Sequence, residues 1–253
     1  MTFTQHLYRM WVWFWFIVAF LILYPFFVLF IQRESWKIYA HNCNKIWAHV
    51  VFFLCNLPVK LEWRFRPDPK KSYVYCPNHS SYLDIPTLCY SLPGYAAFVG
   101  KAELAKVPLF GYMFRNLYIP VDRKSSKSKY DTVQAGFKMI DQGRSLSIFP
   151  EGTIPKGHGP AMIHFKDGPF RIAVEKQIPI IPITIPYNWI ILPDDGKFLP
   201  RRHLMKTIIH EPIETLGLTA TDIPALKEKV FNIIEAELKK HNPEVTNWEH
   251  HRK

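Results

Sequence analysis

Two short clusters of polar residues in this chain have residue types and a spacing that would support acid–base chemistry. The first extends from Asn78 to Asp84, follows a short apolar run and contains His79. The spacing lets the Asp84 carboxylate turn back and hold one imidazole nitrogen, so that the other nitrogen is free to accept a proton. Since no G-x-S-x-G serine follows, we expect such a base to act directly on a substrate hydroxyl. The alternative is a histidine in a turn, with Asp84 as the cap of a helix.

The second cluster extends from Phe149 to Thr153 and also follows a short apolar run. Pro150 and Gly152 predict a tight turn in which a ligand can approach the backbone closely. Glu151 would then be presented at the end of a strand. The alternative interpretation of this cluster, taken alone, is an ordinary turn that ends a strand.

Taken together, the two clusters resemble the motifs of the glycerolipid acyltransferase family. They stand in the family's order, and Phe149 follows His79 by 70 residues. Further segments resemble the family's second and fourth blocks, and these are Gly100–Leu104 with Ile119–Arg123, and Ile178–Ile183. The resemblance covers residues 60–190, and a pair of apolar N-terminal helices is another trait of the family.

The resemblance implies a membrane-bound O-acyltransferase in which His79 deprotonates the free hydroxyl of 1-acylglycerol-3-phosphate and Asp84 orients His79. The oxygen would attack the thioester of acyl-CoA or acyl-carrier protein, giving phosphatidic acid. A thioester is already activated, so positioning and base catalysis suffice, and no metal or redox cofactor is expected. Lys101 and Arg123 would hold the acceptor's phosphate. The residues that the resemblance assigns to substrate binding are Asn78, Lys101, Arg123, Glu151, Gly152, Thr153 and Lys156.

One position departs from the family's pattern and leaves the acceptor open. An arginine usually follows the second cluster, whereas this chain has Ile154, Pro155 and Lys156 there. Lys156 would supply a cation two residues later, as a point charge rather than a bidentate fork. Another lysophospholipid or a lyso-aminolipid therefore stays an alternative acceptor. A non-catalytic membrane lipid-binding protein is the alternative from another class, although such a protein has no need of a base.

The clusters must be positioned by short strands that alternate with helices, which indicates an α/β fold with a mixed β-sheet flanked by helices. We predict strands over 59–66, 73–76, 96–99, 117–121, 145–149 and 178–185. We predict helices over 83–91, 109–115, 126–142 and 165–176, and a last helix capped by Asp222. The apolar stripe from Leu226 to Leu238 predicts that this last helix packs on the core. The acyltransferase domain would cover 58–241 and a solvated polar tail 242–253.

The first 57 residues are predicted to be a membrane-associating segment of two helices. No residue from Met10 to Ile31 is charged, and this stretch is long enough to cross a bilayer. Pro25 would kink the helix, and the many aromatic residues favour the membrane–water interface. The second apolar segment, Ile46–Leu57, is too short to span, so one span and two helices in one leaflet both fit. If the first helix spans, the basic residues after it place the catalytic domain on the cytoplasmic face.

Charge and cysteine content limit the class of protein further. The chain has 32 Lys and Arg against 21 Asp and Glu, a formal net charge of +11. Its mean hydropathy of −0.07 excludes a protein with several membrane spans. Because the aromatic residues are concentrated in the N-terminal segment and the basic residues are scattered, we expect membrane lipids and the acyl carrier as partners, and no nucleic acid. The four cysteines lack C-x-x-C spacing, which favours buried, reduced thiols.

Overall fold

The N-terminal segment is a pair of antiparallel helices, as predicted. Helix α1 covers Phe3–Ile31, and helix α2 covers Lys37–Leu54 after a short 3₁₀ turn. The Tyr8 hydroxyl donates to the Cys55 carbonyl at 2.9 Å, so the start of α1 lies beside the end of α2. The structure is a computed structural model that describes residues 3–155, 159–245 and 248.

Helix α2 begins nine residues before the apolar segment predicted to form it, because its polar first half faces the rest of the protein. The Asn44 amide donates to the Tyr118 hydroxyl at 2.8 Å, and His41 Nδ1 lies 3.2 Å from the same oxygen. Both side chains are buried. The helix pair is therefore docked on the catalytic domain through hydrogen bonds as well as apolar contacts.

The rest of the chain alternates strands and helices, and each of the six predicted strands and five predicted helices is present within a few residues of its expected place. The elements are β1 Val59–Trp63, β2 Val74–Pro77, α3 Asp84–Ser91, β3 Ala96–Lys101, α4 Phe110–Leu117, β4 Ile119–Val121, α5 Ser126–Asp141, β5 Ser145–Ser147, α6 Gly168–Lys176, β6 Ile180–Thr184, α7 Asn188–Ile191, β7 Met205–Ile209 and α8 Ile223–His241. Short 3₁₀ turns occur over Ala102–Lys106 and Ala220–Asp222.

The strands form one seven-stranded mixed sheet flanked by helices, in the order β1-β7-β6-β2-β5-β3-β4. Every neighbouring pair is parallel except β6 and β7, which are antiparallel. Strands β6, β2, β5, β3 and β4 therefore all end at the same edge of the sheet, which we call the carboxyl edge. In open α/β sheets, ligands bind outside this edge.

Strand β7 was not predicted from the sequence. It runs from Met205 to Ile209 and pairs with β6 on one side and β1 on the other. Lys206 and Thr207 interrupt its apolar pattern, yet both are buried. The Lys206 amine reaches Glu62 on β1 at 2.8 Å, so an ion pair compensates for the lysine inside the strand. The pattern alone could not reveal this compensation, because Glu62 is distant in sequence.

The last helix packs on the core as predicted, but its start and the residues after it differ from the prediction. Asp222 does not cap α8; its carboxylate accepts the Thr219 backbone N–H at 2.8 Å, in a capping box one turn earlier. The tail was predicted to be solvated from residue 242 onward. Asn242 is instead fully buried and donates to the Leu238 carbonyl, and Trp248 is also buried. The tail therefore begins as part of the packed domain.

Candidate active site

His79 lies at the carboxyl edge, two residues after the central strand β2, and it contacts the predicted carboxylate. Its Nδ1 is 2.9 Å from Asp84 Oδ2, and its side chain is only 7% exposed. The imidazole stacks on Phe149, with ring centroids 3.8 Å apart and an interplanar angle of 17°. Because a carboxylate can only accept, Nδ1 carries the hydrogen and Nε2 carries the free lone pair. Nε2 has no hydrogen-bond partner among the residues that the structure describes.

Asp84 is fully buried and turns back towards the loop, so it does not act as a helix cap. Its Oδ2 also accepts the backbone N–H groups of Ser80 and Ser81, at 2.8 and 2.9 Å. Its Oδ1 accepts from the Asn188 amide at 2.9 Å. Four donors therefore converge on one carboxylate, which fixes its orientation towards His79.

Asn188 is a residue of this site that the sequence analysis did not identify. It is the first residue of α7, it follows β6, and it is fully buried. Its amide donates to Asp84 and to the Thr87 hydroxyl, both at 2.9 Å. A flipped amide would turn its oxygen towards the Asp84 carboxylate, so the direction of these bonds is fixed. The signal that could have identified it was its position just beyond the Ile178–Ile183 segment, at the end of a predicted strand.

Glu151 is brought to the site, but it connects backbone segments and does not project into open space. It is 1% exposed, and its two oxygens accept the backbone N–H groups of His79 at 2.7 Å and Ile163 at 3.1 Å. Burial raises the pKa of Glu151 to about 8, and the Asp84 charge adds to this effect. The carboxyl thus links the loops after β2 and β5. Its predicted contact with the acceptor's head group stays a prediction.

Asn78 likewise uses its side chain within the fold. Its amide nitrogen donates to the Ile185 carbonyl at 3.1 Å, and its oxygen accepts the Ile185 N–H at 2.7 Å. The side chain therefore continues the pairing of β2 with β6 beyond the last backbone bond, at the point where His79 must be held. Both polar atoms of Asn78 are occupied by this pairing, and its predicted contact with substrate is untested.

Lys101 and Arg123, the predicted phosphate ligands, lie at the carboxyl edge at the ends of β3 and β4. Lys101 is 60% exposed and its amine is 3.6 Å from Glu103. Arg123 is half-buried; burial lowers its pKa, and the Glu103 carboxylate acts in the opposite direction. Strand β3 is two positions from β2 in the sheet, so the end of β3 lies about 10 Å to the side of the end of β2. A cationic region thus borders the histidine on one side.

The remaining predicted residues lie in the turn after β5. Gly152 has a φ of 72°, which confirms the tight turn predicted there. Thr153 is exposed, and its hydroxyl lies 3.5 Å from the Ile154 carbonyl. Lys156 lies outside the described residues. The turn itself is closed by the Lys166 N–H, which donates to the Pro150 carbonyl at 2.7 Å.

The cysteines do not contribute a nucleophile at this edge. All four are free and buried, as predicted. Burial raises the pKa of the Cys89 thiol to about 12, so it remains protonated and unreactive. Within the described ranges, no group of three His, Cys, Asp or Glu side chains is arranged to hold a metal ion. The buried histidine with its carboxylate is therefore the chemically competent group that the geometry provides.

The family model and the relatives that match this chain indicate the same family. The family model described as Acyltransferase matches residues 57–186, slightly more than half of the chain. The chloroplastic 1-acyl-sn-glycerol-3-phosphate acyltransferase BAT2 of Brassica napus is 30% identical over 190 residues, 74% of this chain and 54% of that protein. The 1-acyl-sn-glycerol-3-phosphate acyltransferase of Saccharomyces cerevisiae is 32% identical over 186 residues, 72% of this chain and 60% of that protein. The chain thus spans between half and two thirds of the length of these relatives.

One solved structure has the same fold. It is the crystal structure of the 1-acyl-sn-glycerophosphate (LPA) acyltransferase PlsC from Thermotoga maritima, with a TM-score of 0.77 at 22% identity. The alignment covers 96% of this chain and 98% of that one. The agreement therefore includes the N-terminal helix pair as well as the sheet.

Proposed function

Because this chain belongs to the acyltransferase family, we propose that it transfers a fatty acyl group to the free hydroxyl of 1-acylglycerol-3-phosphate and so makes phosphatidic acid. The donor is a thioester, either acyl-CoA or acyl-carrier protein. The known activity named for its relatives supports the acceptor, and the arrangement of His79 and Asp84 supports the chemistry. The proposed activity is an O-acyl transfer without a covalent enzyme intermediate.

His79 acts as base and then as acid in this proposal. Its Nε2 takes the proton of the acceptor hydroxyl while the oxygen bonds to the thioester carbonyl carbon. The C–S bond then breaks, and the protonated imidazole returns the proton to the departing thiolate. The products are an ester and a thiol, and His79 is regenerated. The imidazolium that forms between the two steps is stabilised by Asp84 at 2.9 Å.

The observation that carries this proposal is the orientation of the imidazole. Asp84 holds Nδ1, Phe149 fixes the plane of the ring, and Nε2 is left to face a substrate. A non-catalytic lipid-binding protein would gain nothing from burying a carboxylate with four donors behind a histidine. Lys101 and Arg123 at the neighbouring strand ends supply the positive charge that an acceptor phosphate requires.

The proposed location is a membrane surface, with α1 in one leaflet. Among the described residues, α1 is the one helix that is long and apolar enough to cross a bilayer. One face of α1 is exposed and apolar along the helix, while the other contacts protein from Tyr8 to Gln32. A helix with protein along one side over this length fits a position in the plane of one leaflet better than a lone span. Placement on the cytoplasmic face follows from the basic residues after α1 only if α1 spans the bilayer, and it stays a prediction.

The function is tested by following thiol release from acyl-CoA and from acyl-carrier protein in detergent micelles. The acceptors are 1-acylglycerol-3-phosphate, lysophosphatidylcholine, lysophosphatidylethanolamine and a lyso-aminolipid. We expect release with the first acceptor and a loss of at least a thousandfold in His79→Ala. Preference for another acceptor would support the alternative that the chain acylates a different lysophospholipid or a lyso-aminolipid, which the presence of Ile154 in place of an arginine leaves open. Release that is absent with every acceptor, or equal in His79→Ala, would show that the chain is not this enzyme.

A further inference from the structure

The segment between α7 and β7 is hydrogen-bonded at its start to the loop of residues 78–84, which we call the catalytic loop, and near its end to α7. At its start, the Leu192 carbonyl accepts the Ser81 hydroxyl at 2.7 Å. Near its end, the Arg201 N–H donates to the Ile191 carbonyl at 2.7 Å. Ser81 is also one of the residues whose N–H holds Asp84. The segment 197–202, which we call the α7–β7 loop, is therefore connected through Ile191 and Leu192 to Ser81, one of the residues that hold the catalytic carboxylate.

Phe198 connects the α7–β7 loop to both α1 and the catalytic loop. Its ring centroid is 6.4 Å from that of Trp13 on α1 and 5.7 Å from that of Tyr82. Tyr82 follows His79 by three residues and is itself exposed. Phe198 is 39% exposed and has a φ of 49°, a backbone conformation that is rare for a bulky side chain. The loop thus maintains an unfavourable conformation that keeps an aromatic ring at the surface.

Three cations lie within four residues of Phe198 along the chain and have no acidic partner among the described residues. Lys197, Arg201 and Arg202 are exposed, and none of them forms an ion pair with a described residue. The carboxylate of Asp195, two residues before Lys197, accepts the Lys197 backbone N–H at 2.9 Å and so closes a turn. Arg202 is close enough to Tyr8 on α1 to interact with it electrostatically. Exposed cations around an exposed aromatic ring match the head-group layer of an anionic membrane.

We propose that the α7–β7 loop is a second membrane contact of the chain, separate from α1. Lys197, Arg201 and Arg202 bind anionic phospholipid head groups, and Phe198 enters the interfacial layer. This inference rests on the proposed membrane location of α1. The contact of the α7–β7 loop with the membrane holds Tyr82 and His79 at the level of the head groups, where the glycerol hydroxyl of a membrane lipid is found.

A membrane fits this surface better than a soluble acidic partner does. The exposed apolar residues of α1 include a stripe at helical spacing, formed by Phe3, Leu7, Met10, Phe14, Ile17 and Leu21. Through Trp13, the Phe198 ring continues the aromatic surface of α1 towards the active site. An acidic protein would pair with the cations, but it would leave this apolar continuation exposed to water.

The test measures binding of the full-length chain to vesicles of phosphatidylcholine alone and to vesicles that also contain phosphatidylglycerol. The charge variant is Arg201→Gln with Arg202→Gln, and its matched control is Lys70→Gln with Lys71→Gln. These two lysines are exposed and precede β2, at the edge of the sheet opposite the site. The ring variant is Phe198→Ser, and its control is Leu216→Ser, an exposed residue after β7 at that same opposite edge.

We expect the charge variant to bind anionic vesicles about 20-fold more weakly than the control, and the difference to vanish in 0.5 M salt. Phe198→Ser should weaken binding to both kinds of vesicle by about tenfold relative to Leu216→Ser. Equal binding by variants and controls would overturn the proposal. Thiol release in detergent micelles is measured alongside, because there the proposed function stands or fails independently of vesicles. A loss of release in micelles with vesicle binding unchanged would assign the cations to the acyl donor and would also overturn it.

Discussion

At the scale of single residues, the catalytic proposal depends on the direction of the bond between His79 and Asp84. Asp84 accepts from four donors, and an asparagine in its place could accept with one oxygen only. We expect Asp84→Asn to lower kcat about a thousandfold while KM changes little, because the imidazole adopts the wrong tautomer. The fold should be retained, since the side chain has the same shape. An unchanged kcat, measured by thiol release, would rule out the pairing as a catalytic feature.

Asn188 positions Asp84 and does not itself face the proposed substrate. Asn188→Leu leaves Oδ1 of Asp84 without a donor, so we expect kcat to fall about 10- to 100-fold at constant KM. Because Asp84 orients the proposed base His79, the pH profile of kcat/KM should differ from that of the wild type. Thr87→Val is the control, since it removes the other partner of Asn188 and leaves all four donors on Asp84. Equal pH profiles in both variants would reduce Asn188 to a packing residue.

Glu151 has two candidate roles, which are to bind the head group of the acceptor or to support the backbone of the two loops that it links. Glu151→Gln turns an amide NH₂ group towards one of two backbone N–H donors, so one hydrogen bond is lost. If support is its role, the free energy of unfolding should fall by about 1–3 kcal/mol and kcat should fall with it, with KM for the acceptor unchanged. If it binds the head group, KM should rise while stability stays the same. Urea unfolding and steady-state kinetics on the same preparation distinguish the two roles.

At the scale of elements, the two faces of α1 have different tasks. Phe14 and Leu21 are exposed on the apolar face, whereas Phe20 is buried against Trp47 and Phe110. We expect Phe14→Ser with Leu21→Ser to reduce vesicle binding about a hundredfold without changing the unfolding transition. Phe20→Ser should instead destabilise the fold. A double variant that still binds vesicles fully would indicate that the main membrane contact lies elsewhere on the protein.

The elements themselves were largely predictable from local patterns, and the failures have physical reasons. Strand β1 alternates apolar and charged residues, and β2 to β6 lie in short, mostly apolar runs, and both patterns have few alternatives between turns. Strand β7 was not predicted because Lys206 interrupts its apolar pattern, and the partner that stabilises this lysine, Glu62, is far away in the sequence. The polar start of α2 was not predicted because Asn44 and the Nδ1 of His41 find a buried partner in the Tyr118 hydroxyl, which is distant in sequence. In each case a tertiary contact allows a polar residue to be buried within a strand or helix, and a local pattern does not contain that contact.

The candidate site was predictable at the level of motifs and not at the level of contacts. His79 and Asp84 are five residues apart, so their pairing follows from local geometry. The contacts of Glu151 and Asn188 require that β5 and β6 both flank β2, and no spacing in the sequence specifies that order. The sheet order therefore decides which strand ends meet at the histidine, and it lets Glu151 link the loops after β2 and β5, a contact that the motif alone does not indicate.

At the scale of the whole molecule, the antiparallel side of the sheet contains a histidine that the fold holds neutral. His210 follows β7 and is buried; Arg64 donates to its Nδ1 at 3.2 Å, and its Nε2 lies 2.8 Å from the Thr184 hydroxyl. Arginine cannot accept, so Nδ1 must carry a lone pair. Burial lowers the pKa of His210 to about 4, the Arg64 charge lowers it further, and the carboxylates of Glu237 and Glu62 act against this effect.

Acid should therefore destabilise the protein through His210 in a defined pH range. The unfolded chain binds this proton near pH 6.5 and the folded chain near pH 4, so the stability is complete above pH 6.5 and is lost as the pH falls towards 4. The loss amounts to about 3 kcal/mol. His210→Gln cannot titrate, so the difference in unfolding free energy between wild type and variant should shrink from pH 8 to pH 4.5. Urea unfolding at several pH values measures this difference in unfolding free energy. A difference independent of pH would show that His210 is not the acid-sensitive group.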